Sequence, residues 1–309
     1  MPDEILLIIS ILAGIAGSVV KKSYINTFKG SNKKINFHNT VLSIFAVIVF
    51  FIWGGFGSAS FFTILVGFCF GLMTALQHLF SSKAISVGSW AYTTIIIYLA
   101  TLIPTCSGWI FWNEPFSWVQ IVGIILLVVC FFLSTDLSTN ESKLLSVKWL
   151  IYALMAFLAM GILSLLLKIH AKSVYAEERN AFLIVAFLVS FLYPAVLYFI
   201  ELRKEKKQEP KNLESQDKGL KFTKNYYSWF WITLVAISGI FAALNNKFNL
   251  RLSGVFDSAF FFPVTSGANI ILTALISVLV FKDKLKLKQW IGFGVGVVAL
   301  IFLVNPFGL

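Results

Sequence analysis

Long apolar runs separated by short polar breaks fill the chain, and between Lys34 and Glu114 the only charged residue is Lys83. About 20 apolar residues are needed to cross a bilayer as a helix. On that length scale the runs predict helices over 5–24, 39–56, 61–81, 87–111 and 117–135, then 149–170, 180–200, 228–250, 257–280 and 288–304. Breaks fall at the glycines Gly54, Gly55 and Gly57, at Ser86 to Ser89, at Asn113-Glu114-Pro115 and in the charged stretch from Glu201 to Lys224. The runs are continuous rather than alternating, which excludes a transmembrane β-barrel. The expected fold class is therefore an all-α polytopic membrane protein with ten transmembrane helices. Trp112, Trp118, Trp149, Trp229, Trp231 and Trp290 fall near predicted helix ends, where an interfacial aromatic belt would lie.

Composition agrees. Of 309 residues, 58% are apolar and only 13% charged, about half the charged share of a soluble domain. That excludes a soluble enzyme, a nucleic-acid-binding domain and a secreted disulfide scaffold. Cys69, Cys106 and Cys130 all lie in apolar stretches and make no disulfide framework. The start, MPDEILLIIS, is acidic before its apolar run, so it is expected to be a permanent helix rather than a basic secretory signal. Lys and Arg set the expected orientation. Counted with the adjoining helix ends, the loops after odd-numbered helices carry 20 of them and the loops after even-numbered helices 5. Odd-numbered loops are thus expected in the cytoplasm and both termini outside, in a multi-pass protein of the cytoplasmic membrane. Its partners are then the lipid bilayer and a small-molecule substrate, not nucleic acid, as a monomer or homodimer.

The two halves repeat. Glu114, Gln120 and Gly123 recur with the same spacing as Asp283, Gln289 and Gly292, each set just before an apolar helix. Gly71, Ala75, Leu76, Gln77, Phe80 and Lys83 are matched by Gly239, Ala243, Leu244, Asn245, Phe248 and Arg251. Gly14 and Lys21 are matched by Gly161 and Lys168, so the three pairs stand in sequential order 147 to 169 residues apart. Five helices per half is an odd number, so the second half must enter the membrane upside down. Opposite charge bias in equivalent loops agrees: the acid-Gln-Gly loop has no Lys or Arg in the first copy and four in the second. Two inverted five-helix repeats are an architecture of secondary transporters, with a site near the midplane between the halves.

With these paired motifs, Pro104 and Pro263 inside the helices preceding them, and the run from Val255 to Ala268, the chain resembles the drug/metabolite transporter superfamily, of the EamA-like ten-helix type. The resemblance covers essentially the whole chain, with residues 1–140 as the first EamA-like repeat and 146–309 as the second, the basic loop 201–227 lying within it. It implies a secondary carrier for small metabolites such as amino acids, nucleotides, sugars or drugs. An amino acid or derivative, moved outward, is the substrate and direction it suggests first; sugar or drug movement is the alternative within transport. A channel or a membrane scaffold without a transport cycle is the alternative from another class. Relatives are drawn with both termini in the cytoplasm, opposite to the charge count here.

Polar side chains inside the apolar runs are the candidates for a site, because each costs free energy unless it meets a partner or a wet cavity. Gln77 and His78 pair by repeat with Asn245 and Asn246; they either line a cavity or hydrogen-bond between helices. Lys21 and Lys168 occupy equivalent positions, where they reach the headgroups or serve a cavity or gate. Asp257 is an N-cap for the ninth helix or a coupling site. Thr265, Ser266 and Asn269 form a polar stripe beside Pro263, and Thr101, Tyr98 and Pro104 form one in the fourth helix, with Trp90 and Tyr92 near its mouth. Proline frees a backbone carbonyl, so these two helices are expected to kink and to line a cavity. Glu114 and Asp283 are expected to be turn or helix-entry residues. Gly14, Gly17, Gly67 and Gly71 are expected to permit close helix packing. No HExxH, phosphate-binding loop, GxSxG or metal-spaced Cys/His motif occurs, so no enzymatic activity, cofactor or metal is expected.

Overall fold

The structure, a computed structural model, describes residues 2–28, 31–87, 90–115, 117–134, 147–208, 218–280 and 287–304. These residues form α1 (Asp3–Thr27), α2 (Asn32–Gly54), α3 (Phe61–Val87), α4 (Trp90–Leu99), α5 (Leu102–Trp112), α6 (Trp118–Ser134), α7 (Val147–Ala171), α8 (Arg179–Gln208), α9 (Lys218–Val255), α10 (Ser258–Leu279) and α11 (Leu287–Val304). Among the described residues there is no strand. Among the described residues six segments, in α1, α2, α3, α7, α8 together with the turn before it, and α9, are long and apolar enough to cross a membrane. The chain is an all-helical membrane protein.

Two departures from the sequence reading have clear causes. The helix expected over 87–111 is two helices, α4 and α5, with a break at Ala100 and Thr101. Pro104 has no N–H to offer the Ala100 carbonyl. The Ile103 N–H takes that carbonyl instead at 3.1 Å, and the Ala100 and Thr101 N–H groups bond three residues back to Ile97 and Tyr98, also at 3.1 Å. The turn is tightened and then ends. Helix α2, expected from residue 39, begins at Asn32. Asn32 and Lys34 in its first turn are exposed, but the polar residues that follow, Asn36, His38 and Asn39, are buried, with Asn36 Nδ2 donating to Glu201 Oε2 at 3.2 Å and the His38 ring 5.1 Å from that of Tyr24.

Helix α1 lies along α9, α3 along α7, and α2 between α8 and α9; α3 also meets α8, α6 pairs with α11, and α5 packs on α10. Three apolar clusters result among the described residues. One joins Tyr24, Phe50, Phe70, Phe182, Phe187 and Leu250, the second joins Leu6, Ile11, Leu127, Phe261, Ala299 and Leu303, and a small third joins Ala84, Trp149 and Ala153. Ile52, Phe61, Phe111, Leu192, Phe199 and Ile301 stand exposed on the outside. A soluble protein of this size rarely shows so much contiguous apolar surface; acyl chains would cover it. Trp118, Trp229 and Trp290 are exposed as a belt requires. Trp149 and Trp231 are not: both are buried, Trp149 donating its indole N–H to Thr93 Oγ1 at 2.9 Å.

Candidate functional site

The helices enclose a cavity of about 270 Å³. Helix α1 contributes Gly14, Gly17, Ser18 and Lys21, and α3 contributes Thr74, Gln77 and His78. The break between α4 and α5 brings in Tyr98 and Thr101, and α7 brings Ser164. Opposite lie Asn245, Asn246 and Asn249 of α9 and Phe261, Phe262, Thr265, Ser266 and Asn269 of α10. Nine of the residues singled out from sequence, Lys21, Gln77, His78, Tyr98, Asn245, Asn246, Thr265, Ser266 and Asn269, thus meet around one space. The side chains of Trp90 and Tyr92 lie outside the described residues, as do Asp283 and the side chain of Gln289.

The polar groups of the wall divide by what already holds them. Asn245 Nδ2 donates to the Ser10 carbonyl at 2.8 Å, Ser10 Oγ donates to Asn249 Oδ1 at 2.6 Å, and Asn249 Nδ2 donates to Asn245 Oδ1 at 3.2 Å. That ring of bonds ties α1 to α9, so Asn245 stands in the wall but acts as an interhelical clamp. Sequence reading missed Ser10 and Asn249, although Ser238, Ala242, Asn245 and Asn249 recur at helical spacing and mark a small and polar face. Asn246 Nδ2 and Asn269 Nδ2 donate to carbonyls of their own helices at 2.9 and 2.6 Å. Thr265 Oγ1 donates to the Phe261 and Phe262 carbonyls at 2.8 and 3.0 Å, beside Pro263. Lys21 Nζ donates to Ser81 Oγ at 2.7 Å. His78 Nδ1 is buried with no hydrogen-bond partner among the described residues. Gly14 leaves room for these amides: a methyl there would sit 3.0 Å from Asn245 Nδ2. Gly14 and Gly17 therefore shape the cavity, whereas Gly67 and Gly71 meet the backbone of α8.

A second recess of about 90 Å³ shares Ser18, Lys21, Gln77 and Tyr98 and continues toward the ends of α1 and α3, past Lys22, Ser81 and Ile85. Lys22 is buried there rather than extended to the surface.

The other end is filled. Asn113, at φ 49°, takes the left-handed conformation that Asn tolerates, and the Glu114 N–H reaches back to the Gly108 carbonyl at 3.2 Å. This fold-back aims Glu114 into the protein. Its Oε1 lies 2.7 Å from Lys168 Nζ, and its Oε2 accepts the Ser258 N–H at 2.6 Å. Lys168 Nζ also donates to the Phe256 carbonyl at 3.0 Å. Lys168 is 0% and Glu114 6% exposed. The cluster sits one helical turn along α7 from Ser164 and one turn along α10 from Phe262, both of which line the cavity. Burial opposes ionisation of Glu114, but the Lys168 ammonium and the Ser258 amide and hydroxyl outweigh it and hold the carboxyl below its ordinary value.

Two sequence expectations change here. Lys168 does not line the cavity; it is neutralised by Glu114. Asp257 occupies the N-cap position of α10 but its side chain makes no capping bond and is exposed, while Glu114, from the α5–α6 turn, accepts the first free amide of the helix, that of Ser258. The rest of the Glu114 motif is structural. Gln120 Oε1 accepts the Ser117 N–H at 3.2 Å while Ser117 Oγ accepts that of Val119 at 3.2 Å, a capping box opening α6. Gly123 lets α6 approach Ala299 and Leu303 of α11, and Gly292 is buried in α11.

No protein-family model and no curated protein matches the chain. The fold does recur: 28 solved chains match it. One, a crystal structure, aligns over 96% of this chain and 98% of its own with a TM-score of 0.61 and 12% identical residues. At that identity the likeness is one of fold.

Proposed function

We propose that the chain is a secondary carrier of the drug/metabolite transporter type, working by alternating access between two inverted five-helix halves, residues 1–140 and 146–309. The observation that carries this is a polar cavity walled by segments of both halves and sharing residues with a recess at one end, with the buried Glu114–Lys168 pair one helical turn along α7 from its wall. The packing supports the repeat. Exchange of equivalent helices turns the α1–α9 contact into the α7–α3 contact and the α3–α8 contact into α9–α2, while α2–α8 and α6–α11 map onto themselves; all are present. With α4 and α5 counted as one broken segment, ten segments remain. A scaffold would have no use for the cavity. The volume lies just below the roughly 300–1,000 Å³ typical of drug-sized ligands, which favours a small polar metabolite, such as an amino acid or derivative, over a drug.

The test is counterflow in proteoliposomes. A carrier saturates and exchanges substrate against substrate; conductance without saturation would overturn the reading. Two variants separate binding from packing. Gln77 makes no hydrogen bond among the described residues, so Gln77→Leu is expected to lower flux and leave the melting temperature unchanged. Asn245→Leu opens the Ser10 clamp and is expected to cost about 0.6–2 kcal/mol of stability, seen as a lower melting temperature of purified protein.

The distribution of Lys and Arg, rather than the family likeness, argues for the basic loop 201–227 in the cytoplasm and both termini outside. A reporter fused at residue 215 is expected to be active only in its cytoplasmic form; activity of an external reporter would reverse the orientation, which would also make outward-facing the end where α1 finishes.

A further inference from the structure

The two repeat-related lysines have opposite fates. Lys168 is fully buried against the Glu114 carboxylate and the Phe256 carbonyl, and its charge is balanced. Lys21 faces the cavity, and its hydrogen-bond partner is the neutral Ser81 hydroxyl. Among the described residues no Asp or Glu lines the cavity or its recess. An ammonium at membrane depth without a counter-charge is costly, and the wall around it supplies donors. Gln77 and Tyr98 border both the cavity and the recess alongside Lys21, and neither side chain is hydrogen-bonded to another described residue. Gly14, Gly17 and Ser18 precede Lys21 on the same face of α1, and their small side chains leave a path along the helix to the ammonium.

We propose that the Lys21 ammonium, with Gln77 and Tyr98, binds the anionic group of the carried molecule, a small organic anion bearing a carboxylate or phosphate. This rests on the carrier reading above. The substrate brings the missing counter-charge, and charge-assisted hydrogen bonds from Lys21 fix its orientation. A cationic amine finds no carboxylate here to receive it. The cavity, at about 270 Å³, limits the anion to a small metabolite.

Proteoliposomes holding the full-length protein, loaded with a total small-metabolite extract, provide the test. Compounds released into the medium are identified by mass spectrometry against protein-free liposomes. Wild-type protein is expected to release compounds that are anionic at pH 7, their formulas distinguishing carboxylates from phosphates. Lys21→Met is expected to reduce that release at least about tenfold, with Lys21→Arg retaining part of it, and both variants matched to wild type in melting temperature and monodispersity. Should Lys21→Met fail that match, Gln77→Leu and Tyr98→Phe together replace it, with the same loss expected. Release of only neutral or cationic compounds by wild type would overturn the anion assignment and leave the carrier standing. Anion release undiminished in the variants would overturn the role of Lys21. No release by wild type would remove the carrier reading itself, and this proposal with it.

Discussion

Lys168→Met is expected to be among the most destabilising single substitutions in the protein. Removing one partner of a buried ion pair leaves the other charge uncompensated, at a cost of about 3–5 kcal/mol. Here the remaining Glu114 would keep the Ser258 amide but lose the ammonium 2.7 Å away. Lys172 Nζ, 4.0 Å from the same oxygen and half-exposed, can compensate only in part. Glu114→Gln alone leaves the Lys168 charge buried and should cost a similar amount. The double variant Lys168→Met/Glu114→Gln should recover most of the loss, because a neutral amide against an apolar chain has no charge to bury. Melting temperatures of the four proteins in one detergent form the cycle, and additive losses would show that the pair does not act as a unit.

Acid should open the same latch. The carboxyl of Glu114 is held below the ordinary 4.5, so its contribution is fully present above that value and is lost as pH falls through the lower, folded value. The melting temperature of wild type should therefore drop more steeply below about pH 4.5 than that of the double variant, which has no Glu114 to protonate.

How much of this was legible in the sequence depends on which physical signal each feature leaves. Apolar length gave the helices, and Pro104 gave the place where the fourth would bend, since a missing N–H is a property of the residue itself. The cavity residues were found because a polar side chain in an apolar run is rare whatever surrounds it. Which of them were free to bind was not legible. Asn245 and Gln77 match in the sequence motifs, yet one is clamped by Ser10 and the other makes no hydrogen bond among the described residues, and only the neighbouring helix decides that. Lys21 and Lys168 looked alike for the same reason. Glu114 was read as a turn residue, and it is one; its carboxylate reaches Lys168 because Asn113 adopts a left-handed turn, and no spacing rule announces a partner 54 residues away. Asp257 stands at the cap position, yet its side chain turns outward and makes no capping bond, and position alone does not announce that.

Gly71→Leu and Gly239→Leu should each prevent stable assembly, and to a similar degree. A Cβ on Gly71 would collide with the Ala186 carbonyl and stand 2.8 Å from Val189 Cβ, while one on Gly239 would stand 2.6 Å from the Leu42 carbonyl and 2.8 Å from Phe45 Cβ. In both places the obstacle is a backbone carbonyl, followed three residues later by a Cβ, on the second helix of the opposite half. Backbone cannot step aside as a side chain can, so even alanine is expected to cost about 1–3 kcal/mol, and leucine should force α3 from α8, or α9 from α2. Small residues matter more here than in a soluble core, because lipid is as apolar as the helix faces and close packing must supply the association energy. Gly294, where an added Cβ meets nothing within 4 Å, is the control and should accept leucine. The yield of monodisperse protein after solubilisation reads all three. Equal losses at Gly71 and Gly239 with none at Gly294 are what a two-fold relation between the halves requires, and tolerance at either of the first two would break it.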